Sequence, residues 1–192
     1  MTSYLLAGPD EEPIALVRAK AWLRVEDDAE DGLIEALITA ARIHIEGITG
    51  RALLAQSWRV VLDAWPGDGE VRLPVGPVIA ITEVRTHDGE GTPEEIDTEG
   101  FSFDAGAVPA RLLVPAQVQG AGGVRARMGI EIDYVAGLAT EPAEVPGDLI
   151  QALLVLVGYW YENRDAVIVA GAGAVVPAGF DRLVSRYRRM GL

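Results

Sequence analysis

Asp28–Leu54, DAEDGLIEALITAARIHIEGITGRALL, decides the fold. Its apolar residues Leu33, Ile34, Leu37, Ile38, Ala41, Ile45 and Ile48 recur at the three-and-four spacing of one helix face, with Glu35, Thr39, Arg42 and Glu46 opposite. Asp27 or Asp28 is placed to cap the first turn, and Glu30 and Asp31 suit the positive end of the helix dipole. Gly50 follows the last periodic residue, where a left-handed C-cap needs no Cβ. The spacing predicts a helix from Ala29 to Thr49, about 30 Å long. A helix this one-sided must bury its stripe against another element.

That element is expected at Leu149–Tyr161 (LIQALLVLVGYWY), which follows Pro146 and is apolar almost all round, as a helix enclosed on every side is. At about a dozen apolar residues it is too short to span a bilayer. Upstream, Pro13 opens a short helix over Ile14–Arg24, with Leu16, Ala19, Ala21 and Leu23 as its apolar positions. The acids Glu26, Asp27, Asp28, Glu30 and Asp31 join it to the long helix. They lack the glycine and distal glutamate of a calcium loop, so they read as a solvated turn with capping duty.

After Gly50 the period changes. Ser57–Ala64 alternates like a strand, with Trp58, Val60 and Leu62 on one side. Val71–Leu73, Val78–His87, the residues around Phe101 and Phe103, and Arg111–Val114 read as further short strands, and Arg125–Val135 as the longest. Gln117–Gly123 reads as a polar, glycine-rich loop. The fold class expected is α+β: a helical bundle core with an inserted antiparallel β domain. The divisions expected are an N-terminal helical part over 1–56 that begins with an extended arm, the β domain over 57–140, the buried helix over 141–165, and a C-terminal docking segment over 166–192.

The last segment is unusual. Ala166–Ala178 (AVIVAGAGAVVPA) is apolar yet broken by Gly171, Gly173 and Pro177. Burying Val167, Ile168, Val169, Val175 and Val176 would release about 1.5–3 kcal/mol each. Ordering some thirteen residues costs about 1–2 kcal/mol apiece, so the segment is expected to order on a partner. Phe180–Met190 (FDRLVSRYRRM) reads as a short helix with Phe180, Leu183, Val184 and Tyr187 on one face. Arg182, Arg186, Arg188 and Arg189 exceed what a helix end needs for its dipole, which points to docking on an acidic protein surface.

The formal charge of −13 argues against general nucleic-acid binding. There is no cysteine, hence no disulfide framework and no thiolate metal site. His44 and His87 lie in different elements without a second ligand at helical spacing, and no nucleophile elbow or phosphate loop occurs. No catalytic, cofactor or metal site is expected, and the chain reads as a non-enzyme. A rival reading is a small-ligand or carbohydrate-binding module on the β domain, with Trp58 or Trp65 as platform.

Ile45–Pro66 (IEGITGRALLAQSWRVVLDAWP) and Leu153–Val167 (LLVLVGYWYENRDAV) resemble the tailed-phage head–tail connector, or adaptor, proteins. Glu12–Arg42 is similar to that family's N-terminal helix pair, and Leu183–Arg188 (LVSRYR) to its C-terminal end. The middle, Asp68–Gly123, resembles the family's long form only in its run of short strands. A phage-like gene transfer agent would carry the same protein. The resemblance implies a subunit of a ring, usually of twelve copies, beneath the portal at the head–tail junction of a virion or phage-like particle. The ring would extend the DNA channel without binding DNA specifically, and would offer a platform to the next neck, stopper or tail protein, with no membrane involved. It further implies that Ala166–Leu192 grips the portal. The contacts would be Val167, Ile168, Val169, Val175 and Val176 together with Phe180, Arg182, Arg186, Tyr187, Arg188 and Arg189.

Overall fold

The computed structural model describes residues 1–105, 107, 109–120, 123–163 and 176–188 and combines helices with antiparallel sheets. The chain forms two compact units, each built from separated stretches. One joins Met1–Pro9 to Ala55–Leu138, the other Asp10–Leu54 to Ala139–Leu192.

The helical unit contains α1 (Leu16–Leu23), α2 (Asp31–Thr49), α3 (Gly147–Glu162) and α4 (Phe180–Val184), the last continued by a 3₁₀ turn at Ser185–Tyr187. The stripe on α2 is buried at Ile34, Leu37, Ile38, Ala41 and Ile45, while Leu33 stays exposed. It packs on α3, which buries Leu149, Ile150, Leu153, Leu154, Leu156, Val157 and Trp160, so the apolar-all-round segment is the centre of the bundle. Gly50 ends α2 at φ 64°, its N–H bonded to the Glu46 carbonyl at 2.8 Å. The Lys20 ammonium, the only one a lysine supplies, donates to Asp28 and Asp31 at 2.6 Å each. The acid run is therefore tied to α1 as well as solvated. Helix α1 itself starts later than expected; Pro13 and Ile14 are buried ahead of it.

Arg42 departs from the sequence reading. Placed there on the polar face, it is buried. Its Nε donates to Glu12 at 2.8 Å and its Nη1 to Glu46 at 3.0 Å, while Thr39 Oγ1 donates to Glu12 at 2.8 Å. Glu46 in turn accepts the N–H of Leu53 at 2.9 Å. One guanidinium thus ties the stretch before α1 and the exit from α2 to the middle of α2.

The sheet unit has strands β1 (Thr2–Ala7), β2 (Gln56–Leu62), β3 (Glu70–Leu73), β4 (Val78–His87), β5 (Pro93–Glu95), β6 (Ser102–Asp104), β7 (Ala110–Leu113) and β8 (Ile130–Ala136). They form an antiparallel five-stranded sheet, order β1-β2-β8-β4-β5, and a three-stranded one, order β3-β7-β6. Val60, Leu62, Val84, Ile130, Ile132 and Tyr134 of the first share a core with Val71, Leu73, Ala110 and Leu112 of the second. The face of the large sheet away from that core carries a charge ladder. Arg59 grips Asp133 through two bonds of 2.6 Å and reaches Glu131 at 3.1 Å, and Arg85 meets Asp133 at 3.3 Å. The Asp133 bonds raise the pKa of Arg59 above its ordinary value, against the cost of its burial.

Three readings are corrected here. Residues 1–9, grouped above with the helices as an arm, hold a strand paired to β2 in the sheet unit. The longest strand is β4, because Arg125–Gly129 folds as a turn, its Arg125 side chain donating to the Met128 carbonyl. A Cβ on Gly129 would stand 2.4 Å from the Arg125 carbonyl oxygen, so only glycine fits that close approach. Ala116–Gln119 makes one helical turn that overlaps the start of the expected loop Gln117–Gly123.

Candidate docking surface

The expected docking residues fall into three groups. Val167, Ile168, Val169, Val175 and Arg189 lie outside the described residues. Val176 is half-buried just ahead of α4. Phe180, Arg182, Arg186, Tyr187 and Arg188 are brought together on α4 and the turn after it.

That short element is amphipathic, and its apolar side faces its own unit. Phe180 is 1 % exposed and Val184 0 %. The Phe180 ring lies 5.8 Å from the His44 ring of α2, which meets Trp160 of α3 edge-on at 5.7 Å. Tyr187 is buried too. Its hydroxyl donates to Asp148 in the first turn of α3 at 2.8 Å, and its carbonyl accepts Arg51 Nε at 3.1 Å. Phe180 and Tyr187, expected to meet a portal, are thus committed to the chain's own helices. A five-residue helix cannot hold itself without such packing.

The arginines differ among themselves. Arg186 pairs with Asp148 at 2.9 Å and lies over the Tyr187 ring, 4.8 Å from its centroid. Arg188 pairs with Asp181 on α4. Arg182 is exposed and its side chain makes no ion pair among the described residues. All three heads reach solvent, where water and salt screen such pairs, so they remain open to a stronger acidic partner. What the sequence could not reveal is His44, a lone helix histidine without a motif. It sits where α2, α3 and α4 converge.

Burial, and to a lesser degree the Arg188 charge, lower the His44 pKa below its ordinary value of 6.5. The neutral ring is therefore the form the packing favours. Its contribution is complete above the unfolded value and is lost as pH falls through the lowered folded value. Thermal unfolding of the wild type should weaken more between pH 7.5 and pH 5 than that of His44→Phe, whose ring cannot protonate. Parallel curves for the two proteins would contradict this.

Other candidate groups are arranged differently. Trp58 and Trp65 are half-buried and pack against the sheet core with their indole Nε1 atoms buried. Of the acids, Asp28 and Asp31 are held by Lys20, and Glu131 and Asp133 by arginines. Glu90, Glu94, Glu95, Asp97 and Glu99 stay exposed around β5. Among the described residues, no group of three or more His, Asp or Glu side chains is placed to hold a metal ion. No helix among them is long and apolar enough to cross a membrane.

Residues 13–107 match the family model described as phage gp6-like head–tail connector protein. No curated protein matches the sequence. Among solved structures, the chain is similar to one in the neck of an empty gene transfer agent (GTA) particle computed with C6 symmetry. The TM-score is 0.80 at 26 % identity, with 100 % of this chain and 97 % of that one covered. A chain in the neck of a native GTA particle computed with C12 symmetry matches at TM-score 0.70 and 25 % identity, over 100 % and 97 %. A chain from the virion of a native GTA particle shares the fold at TM-score 0.80 and 23 % identity, over 100 % and 97 %.

Proposed function

We propose that the chain, whose residues 13–107 match the phage gp6-like head–tail connector model and whose fold is similar to that of a GTA neck chain, is a connector repeated as a ring beneath a portal, in the neck of a virion or GTA particle. Twelve copies is the number we infer, from the C12 symmetry of a neck that holds a similar chain. The role is structural: the ring extends the DNA channel and presents a platform to the next neck or tail protein. The observation that carries this reading is the end-to-end likeness to a GTA neck chain. The exposed arginines on α4 and just after it support the portal as the partner gripped, because they concentrate positive charge on a chain of net charge −13.

The acidic balance serves the channel. Carboxylates on a ring lumen repel the phosphate backbone, so a genome passes without adhering. The repulsion acts only within about 8 Å at physiological salt. The exposed acids around β5 are our candidates for that lining, since those on Lys20 and on the sheet ladder are already neutralised.

Arg182, Arg186 and Arg188 all replaced by Glu tests the grip. Their apolar neighbours Phe180, Val184 and Tyr187 stay in place, so the monomer should keep its circular dichroism spectrum. Binding to the portal ring of the same particle, read by pull-down and by mass shift, should fall at least tenfold, as expected for like charges set against one another. Undiminished binding would refute the assignment of these arginines.

A further inference from the structure

Among the described residues the outer strand β1 is hydrogen-bonded to β2 on one side only, and no strand pairs with its other edge. Apart from Ser3 its residues are exposed, including Tyr4 at 41 %, Leu5 at 44 % and Leu6 at 43 %. Alternate amides of an antiparallel strand point away from its partner, so about half of the β1 donors face outward. The opposite edge of the same sheet is guarded. There β5 is three residues long and consists of Pro93, Glu94 and Glu95, a residue without an N–H and two that repel an incoming strand. One edge is closed to strand addition and the other invites it.

Charge identifies the occupant. Residues 2–9 carry no charged side chain; the first is Asp10, in a chain of net charge −13. Two copies of this protein carry like net charge, and β1 is an uncharged strip on which they approach without that penalty. A ring also needs a head-to-tail contact, in which one surface of each copy meets a different surface of the next. The similar chains come from necks computed with C6 and C12 symmetry, where such contacts repeat. We propose that the free edge of β1 is a subunit interface, receiving an extended segment of the adjacent copy by strand addition. This rests on the connector-ring reading and names one of its contacts.

The full chain is mixed with the portal ring of its own particle. Native mass spectrometry counts the copies bound, and hydrogen exchange follows the amides of Thr2–Ala7. The wild type should fill the portal cooperatively, with the outward β1 amides slowed at least about tenfold relative to the free chain. Leu5→Lys with Leu6→Lys places charges on both faces of an already exposed strand, the device by which edges are guarded. That variant should keep its fold, bind as scattered single copies and lose the added protection. Cooperative filling by the variant, or unchanged exchange of Thr2–Ala7 in the filled ring, overturns the proposal alone. Full protection with a single copy bound would assign the edge to the portal and overturn the second-copy occupant. A wild type that does not bind portal at all removes the connector reading, and this contact with it.

Discussion

Replacing Arg42 with methionine should cost the helical unit about 3 kcal/mol or more, the usual loss when one partner of a buried ion pair is removed. Methionine fills much of the same volume, so the effect does not come from a cavity. It comes from the two carboxylates left behind. Glu12 is fixed by its bond to Thr39, and Glu46 by its bond to the Leu53 N–H, so neither can swing freely to water. Arg42 itself is only 9 % exposed at the side chain. Urea unfolding followed by circular dichroism measures the loss. Adding Glu12→Gln to Arg42→Met should recover part of it, since the second change removes one stranded charge. A double-mutant cycle then isolates the coupling. A single variant within 1 kcal/mol of wild type would mean that the guanidinium is not what joins these segments, on the scale that buried pairs ordinarily show.

Phe180→Ala should release the C-terminal helix without unfolding the bundle. Emptying a fully buried phenylalanine site costs about 3–5 kcal/mol. Here the cost falls on one local equilibrium, because Phe180, Val184 and Tyr187 are the buried side chains of the described tail from Val176 to Arg188. A loss of about 3 kcal/mol shifts that docked-to-undocked ratio by roughly a hundredfold. Hydrogen exchange should accelerate throughout 180–188 while α2 and α3 keep their protection and the main thermal transition moves little. Portal binding should weaken as well, although no charge has changed, because the arginines lose the frame that holds them. Unaltered exchange over 180–188 would show that some other contact anchors the tail.

The parts of the fold that were legible in the sequence share a cause. Helices α2 and α3 and strands β2 and β4 are long enough to show their character in the sequence, α2 by a one-sided stripe and α3 by being apolar almost all round. The α+β architecture followed from those alone. Strand β1 was not legible as a strand because an edge buried on neither face has no alternation to show. Arg42 was misplaced for a different reason: its position on the helical wheel is polar, and only the partner Glu12, thirty residues away in sequence, makes that position an interior one. Lys20 was likewise unreadable as a clamp until α1 and the start of α2 were set side by side.

The candidate surface was legible in part. The excess of arginines over what a helix end requires singled out this segment, and Arg182, Arg186 and Arg188 stand at the surface. The apolar face beside them misled, because amphipathicity tells that a face will be covered but not by what. Phe180 and Tyr187 are covered from within their own unit by His44 and Asp148. Nothing in the local sequence of His44 distinguishes it from an ordinary helical histidine.

The interleaving of the two units has a consequence for how the protein is made. On the ribosome, α2 emerges early with its apolar stripe uncovered, and α3, which covers it, lies roughly a hundred residues downstream. At the usual pace of about 5–20 residues per second, that stripe stays bare for some five to twenty seconds. Strand β1 likewise waits for β2, across the whole of α1 and α2. Neither unit can mature in simple N-to-C succession, so the nascent chain should lean on chaperones more than its modest size would suggest, and truncation before α3 should yield aggregates rather than a stable half.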